Sequence, residues 1–224
     1  MAVMVKSEDN MNGKVYTEDD VIRLREQIRP YLTEKRYAHT LAVEREADFL
    51  GQIYMPENLL KLRASALLHD ITKMCVSEKQ LQYCSEFGII ISDYDILSPK
   101  TLHSKTAAAL IGRDFPEFND CEITDGVRWH TTGRDGMSVF EAIIYLADYI
   151  EDTRTFPDCV ELRRYFREAL DSGEDKHVLL YRTMVKSFDM TIKNILDDGK
   201  LICEDTVRAR NYYVKLLLTS GKTV

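Results

Sequence analysis

The sequence predicts an all-α fold organised as one helical bundle. Three observations carry that prediction. From Thr17 onward almost every segment repeats its apolar residues at a helical period. Most of these segments open on a capping residue or a proline, and several close on Pro or Gly. Alternating apolar and polar runs are nearly absent, and Ile89-Ile90-Ile91 is the one short β-like stretch.

The elements follow in order. Residues 1–16 lack periodicity and read as a loose leader, leaving 17–224 as the helical domain. Thr17 precedes an acidic first turn, then Val21, Leu24 and Ile28 share a face, and Pro30 is the stop. A long helix over 34–54 places His39, Val43, Ala47 and Leu50 in one stripe. Pro56 opens a Leu- and Ala-rich helix that runs to His69-Asp70. Ser77-x-x-Gln80 reads as a capping box and Gly88 as the stop behind it. Further helices are expected over 101–113, 120–130, 138–151, 158–171, 176–197 and 205–219, with Ser138-x-x-Glu141 and Asp158-x-x-Glu161 as N-terminal boxes. No internal repeat or low-complexity linker divides the chain, so a single domain is expected. Within it the last two helices, from about 176, could form a subdomain.

Composition narrows the function. A chain of 224 residues with 45% hydrophobic and 30% charged residues can bury a sizeable core. Its net charge of −7 argues against a nucleic-acid partner, which calls for a basic surface. Nucleotides stay open, because a metal ion held by carboxylates brings its own positive charge. Cys75, Cys84, Cys121, Cys159 and Cys203 are scattered, without a C-x-x-C pair, so neither a disulfide framework nor a thiolate zinc site is expected. Free thiols fit a cytoplasmic setting, and no apolar run is long enough for a secretory signal or a membrane span.

The chemistry lies in the histidines, of which there are five. His39, His69, His103 and His130 fall at or near expected helix ends or on apolar faces, whereas His177 has no acidic or histidine neighbour in motif. His69 is followed directly by Asp70 at the close of Ala66-Leu67-Leu68. Asp148 sits inside Ile144-Tyr145-Leu146-Ala147-Asp148-Tyr149-Ile150, where an ionised carboxylate is costly to bury without a cation or strong donors. Each piece alone has a plain structural explanation: a core histidine, a chance dipeptide, an aspartate paired with arginine. Together, on separate helices, they make an imidazole and carboxylate set suited to divalent iron, manganese or zinc. Neighbouring side chains on a helix point about 100° apart, so His69 and Asp70 reach one ion only where the helix bends or ends.

The order His39 … His69-Asp70 … Asp148 resembles the metal-binding H … HD … D pattern of the HD superfamily of phosphohydrolases. The stretches Arg36-Tyr37-Ala38-His39, Ala66-Leu67-Leu68-His69-Asp70-Ile71-Thr72-Lys73, Leu102-His103, Val127-Arg128-Trp129-His130-Thr131-Thr132-Gly133-Arg134 and Tyr145-Leu146-Ala147-Asp148-Tyr149-Ile150-Glu151 narrow the resemblance to its symmetrical bis(5′-nucleosyl)-tetraphosphatases. It covers about residues 20–195. Ser104-Lys105 departs from an expected Gly-Pro after His103, and Asp152-Thr153-Arg154 from a Pro-Gly-Arg-like turn.

The resemblance implies an HD-domain helical bundle that hydrolyses diadenosine tetraphosphate, a small-molecule substrate, to two ADP. It implies a divalent metal, iron foremost, as one or two ions. His39, His69, Asp70 and Asp148 would be the ligands, and Asp70 and Lys73 the catalytic pair. Lys73 and Arg154 are candidate phosphate donors, with Thr131, Thr132 and Gly133 as a phosphate-facing wall. His103 and His130 would contact substrate phosphate or complete a second metal site, with phosphate contact slightly favoured. A homodimer is left open. Two alternatives remain: an HD phosphohydrolase of a mononucleotide or cyclic dinucleotide, and a non-catalytic nucleotide-binding module. Cyclic-dinucleotide enzymes of the superfamily carry Gly-Tyr-Pro after their histidine block, which Gly133-Arg134-Asp135-Gly136-Met137 lacks.

Overall fold

The computed structural model describes residues 14–221. The expected leader therefore lies outside the described residues up to position 13. At its end Tyr16 is buried and stacks on Phe118 at 5.4 Å between ring centroids.

The described residues form eleven α-helices joined by short turns, with no strand among them. They are α1 (Glu18–Ile28), α2 (Glu34–Tyr54), α3 (Leu59–Leu68), α4 (Ser77–Glu86), α5 (Asp93–Leu97), α6 (Leu102–Asp114), α7 (Cys121–Trp129), α8 (Val139–Ile150), α9 (Pro157–Asp171), α10 (Lys176–Asp197) and α11 (Glu204–Thr219). Each helix expected from periodicity is present within a few residues. Only α5 was not foreseen; at five residues it is too short to show a period. Ile89–Ile91 is irregular chain beyond Gly88, which ends α4 at φ +63° as only glycine does without strain.

Local chemistry explains the helix starts. Thr17 accepts from the Asp20 amide while Asp20 accepts from the Thr17 amide, a reciprocal cap that satisfies two orphan donors of α1. Ser138 accepts from the Glu141 amide at the start of α8. Two expected boxes do not form. Ser77 already lies inside α4 behind an uncapped Val76, and the buried Gln80 turns inward. There its amide donates to the Thr72 carbonyl (2.6 Å) and accepts from Thr106 Oγ1 (2.5 Å), so core polar satisfaction outweighs the cap. α9 begins at Pro157, whose missing N–H costs nothing there, and Asp158 instead accepts from Tyr149 Oη at 2.8 Å.

The centre of the bundle is α3 and α8. α3 packs on α1, α2, α6, α7 and α8, and α8 packs on α2, α7, α9 and α10. Nearly every residue of α8 is buried, so this helix is apolar all round, as a central helix must be. α7 approaches both closely at Gly126, where a Cβ would meet Ser65 Oγ at 2.6 Å and the Phe140 ring at 2.9 Å. α10 and α11 pack on each other, and Phe188 of α10 reaches the Tyr145 ring of α8 at 4.7 Å. One contiguous apolar cluster runs from Tyr16 to Leu217. The consequence for chemistry is that the inner ends of α2, α3, α6, α7 and α8 meet at one point.

Candidate metal centre and cleft

Four histidines and two aspartates converge where those helices meet. His39 comes from α2, His69 ends α3, His103 opens α6, His130 ends α7 and Asp148 lies in the last turns of α8. α3 stops at Leu68, and the chain continues through turns with Lys73 N bonding Asp70 O (2.9 Å) and Cys75 N bonding Thr72 O (3.0 Å). That break lets His69 and Asp70 face the same point, which a continuing helix forbids.

The histidine tautomers follow from their outer partners. Nδ1 of His69, His103 and His130 donates to the carbonyls of Ala66 (2.6 Å), Lys100 (2.7 Å) and Val127 (2.7 Å). A carbonyl can only accept, so the proton is on Nδ1 and Nε2 presents a lone pair inward in all three. His39 Nδ1 donates to Glu151 Oε1 at 3.1 Å, aiming its Nε2 at the same point.

The inward atoms are closely spaced. Asp148 Oδ1 lies 3.1 Å from His39 Nε2 and 3.8 Å from His69 Nε2. Asp70 Oδ2 lies 3.3 Å from His69 Nε2 and 3.8 Å from His39 Nε2, while its Oδ1 lies 3.2 Å from His103 Nε2 and 3.8 Å from His130 Nε2. His103 Nε2 and His130 Nε2 are 3.0 Å apart. In two triplets, His39–His69–Asp148 and His69–Asp70–His130, one ligand atom from each residue lies within 4.8 Å of the others.

Protonation suits the same purpose. Burial holds the His103 imidazole below its usual range, and burial beside His103 and His69 holds His130 well below it, so both are neutral. Burial disfavours charge on Asp70, but the His69, His103 and Lys73 groups outweigh it and hold the carboxyl well below the usual range. Asp148 is likewise held low against its burial by Arg154, His39 and His69. His39 is the exception: burial opposes its proton, yet Asp148 and Glu151 raise it to about 9.

Buried His69 Nε2 has no hydrogen-bond partner among the described residues, and His39 Nε2 and Asp70 Oδ1 face only Asp148, His69, Asp70, His103, His130 and Lys73 within the cluster. An unsatisfied buried polar atom costs about 1–3 kcal/mol, and a bound cation would satisfy it. Imidazoles with ionised carboxylates and no thiolate are the donor set of a divalent transition metal, which His39 would join by releasing its Nε2 proton.

The cluster opens on a cleft of about 620 Å³ lined by Lys35, Arg36, Lys73 and Arg154 among others. Lys73 Nζ is 3.1 Å from His103 Nε2 and 3.9 Å from Asp70 Oδ1. Arg154 pairs with Asp148 Oδ1 at 2.5 Å. Thr131 Oγ1 is 3.3 Å from His103 Nε2. The structure thus brings His39, His69, Lys73, Asp70, His103, His130, Thr131, Asp148 and Arg154 together.

Thr132 and Gly133, expected in a phosphate-facing wall, have their contacts elsewhere. The Thr132 hydroxyl donates to the Gly133 carbonyl (3.0 Å) and lines a separate cavity with Arg128 and Lys105. Gly133 takes φ +64°, and a Cβ on it would meet the Phe188 ring at 2.7 Å. Its role is to let the end of α7 pack on α10. His177 is exposed and remote from the cluster in its contacts, beside Tyr181.

Two contributors carried no role in the sequence reading. Glu151, fully buried, orients His39, and Arg36 holds Asp70 Oδ2 at 2.9 Å. Both sit one helical turn from a recognised ligand: Arg36 three residues before His39, Glu151 three after Asp148. That spacing was the available signal.

Comparison with known proteins agrees with this geometry. The HD domain family pattern matches residues 36–153. The symmetrical bis(5′-nucleosyl)-tetraphosphatase of Bacillus subtilis (strain 168) is 29% identical over 84% of this chain and 94% of its own length. Its namesake from Halalkalibacterium halodurans is 31% identical over 82% of this chain and 91% of its own length. A crystal structure from Clostridium acetobutylicum, described as a predicted HD superfamily hydrolase involved in NAD metabolism, superimposes with a TM-score of 0.77 at 34% identity, covering 91% of this chain and all of that one.

Proposed function

Because this chain belongs to the HD-domain family of symmetrical bis(5′-nucleosyl)-tetraphosphatases, we propose that it hydrolyses diadenosine tetraphosphate to two ADP at the cluster of His39, His69, Asp70 and Asp148. The observation that carries this reading is the meeting of inward imidazole Nε2 atoms and ionised carboxylates beside a cleft lined with cations.

We assign a divalent metal to the cluster, iron first, with manganese or zinc as alternatives. His39, His69, Asp70 and Asp148 hold it. His103 and His130, whose Nε2 atoms lie 3.0 Å apart with Lys73 Nζ 3.1 Å from His103, contact substrate phosphate or take a second ion shared with Asp70. When bound, such ions supply a water activated near neutral pH and neutralise charge on the transferring phosphoryl group.

The protein's own residues do the rest. Asp70, ionised, accepts a hydrogen bond from the attacking water at Oδ1 and orients it. The water oxygen bonds to one of the two central phosphorus atoms, and that atom's bond to the central bridging oxygen breaks. One ADP takes the hydroxyl, the other leaves with the bridging oxygen, and the water's remaining proton passes to that oxygen or to solvent. Lys73 Nζ donates to the attacked phosphate, and Arg154 neutralises its neighbour while keeping Asp148 ionised. Glu151 fixes the His39 tautomer through Nδ1. With free thiols at all five cysteines and no described helix long and apolar enough to cross a membrane, we place the enzyme in the cytoplasm.

Hydrolysis in ¹⁸O-water tests the reading. It predicts label in ADP with neither AMP nor ATP. AMP plus ATP would mean an asymmetric cut, and phosphate release from a mononucleotide alone would transfer the assignment to a different HD phosphohydrolase.

A further inference from the structure

One wall of the cleft has a chemistry that phosphate does not use. Phe156, the residue before α9, is 64% exposed and lines the cleft. Met74, 49% exposed, lines it from the turns that follow Asp70. Two large apolar side chains thus stand exposed on the wall of an otherwise polar cleft. Among the described residues the Phe156 ring stacks on no other aromatic ring.

The segment that presents Phe156 is held rigidly. The Arg163 guanidinium of α9 donates to the carbonyls of Ile150 (2.6 Å), Glu151 and Arg154 (2.8 Å). Thr153 donates to Glu151 through both its amide (2.6 Å) and its hydroxyl (2.8 Å). Pro157 restricts the residue before it to extended backbone, and Phe156 takes φ −62° and ψ 138°. Phe156 lies two residues from Arg154, at most about 7 Å along the chain. Both side chains line the cleft, so a phosphate held at Arg154 would leave its nucleoside within reach of this ring.

We propose that Phe156, supported by Met74, is a nucleobase platform on which the base of the bound nucleoside diphosphate half stacks. The inference rests on the cleft being a nucleotide site. It adds what the site reads: the presence of a base, not its identity. Every base offers a π-face, so stacking tolerates all of them. Among the described residues the cleft lining has no Asn, Gln or Asp, the side chains that read adenine or cytosine edges most specifically, and its one carboxylate, Glu151, is committed to His39 and Thr153. Adenine and guanine nucleotides should bind alike, and a polyphosphate without a base should bind less well.

Equilibrium binding of ADP, GDP and pyrophosphate to the metal-loaded protein tests the platform. Phe156→Ala should weaken ADP and GDP by about 5- to 150-fold, the equivalent of one lost base stack, and leave pyrophosphate unchanged. Phe156→Tyr should restore both nucleotides. The exposed position makes these variants safe for folding, and circular dichroism verifies it. Equal weakening of ADP and pyrophosphate, unchanged ADP binding, or wild-type protein that holds pyrophosphate as tightly as ADP would each overturn the proposal. If ADP binding depends on Phe156 while no dinucleoside tetraphosphate is cleaved, the platform stands and the assigned reaction falls.

Discussion

Replacing Glu151 by Gln perturbs the metal centre without touching any inward atom. The Glu151 carboxylate is fully buried and accepts at Oε1 from His39 Nδ1 (3.1 Å) and Thr153 Oγ1 (2.8 Å), and at Oε2 from the Thr153 amide (2.6 Å). A glutamine must put its NH₂ in one of those positions. Facing the Thr153 amide, it sets donor against donor in a buried place, at a cost of about 1–3 kcal/mol. Facing His39, it drives the ring proton from Nδ1 to Nε2, the atom that must present a lone pair to the metal. Outer partners of metal-bound histidines typically contribute about 10- to 100-fold in metal affinity, or roughly 1.4–2.7 kcal/mol. Competition against a calibrated chelator, under anaerobic conditions, should show Glu151→Gln in that range, with kcat largely recovered at saturating metal. Its melting temperature should fall by a few degrees, since about 1 kcal/mol corresponds to roughly 2–4 °C at this chain length. Metal affinity equal to wild type would refute the orienting role and, with it, the tautomer argument for His39.

Lys73→Ala should lower kcat/KM by about 30- to 1,000-fold, the loss of a preorganised donor worth roughly 2–4 kcal/mol, with metal content unchanged by elemental analysis. Away from the cluster, Lys105 pairs with Asp95, which is 1% exposed, so Lys105→Met leaves this buried carboxylate with only the Ser92 amide and hydroxyl and should destabilise by about 3 kcal/mol in urea unfolding at pH 7. Burial would raise the Asp95 carboxyl, but Lys105 and the Ser92 amide and hydroxyl hold it below its usual 3.8. A depressed carboxyl contributes stability that is present above 3.8 and lost as pH falls through the lower native value, so the Lys105→Met penalty should shrink below about pH 4. A penalty that stays constant through that window contradicts the pairing.

How much of this was legible in the sequence depended on the range of the interaction. Helical periodicity and the order of His39, His69-Asp70 and Asp148 survive in one dimension, because each ligand sits on its own helix face and the apolar frame around Asp148 marks it as buried. The pairing of His103 with His130 across α6 and α7 needs the packing of those helices, which no local spacing encodes. The surroundings of Thr132 and Gly133 were hidden for a related reason. A Thr-Thr-Gly turn can present either face to a ligand, and only the approach of Phe188 decides which. Ser77 and Asp158 obey the box pattern but lose it to longer-range partners of Gln80 and Asp158. Ser104-Lys105, a departure from the family pattern, follows from a local partner, since Lys105 answers the buried Asp95 of α5, a helix too short to foresee.

The central claim is that these four ligands hold the metal that performs the hydrolysis. Its most direct test is anaerobic purification of wild type and Asp70→Ala, followed by metal quantification and product analysis on diadenosine tetraphosphate in the same samples. The account predicts bound divalent metal and ADP as sole nucleotide product for wild type, and loss of most metal and all turnover in the variant at unchanged helical content. Unchanged metal or full activity in Asp70→Ala would contradict it.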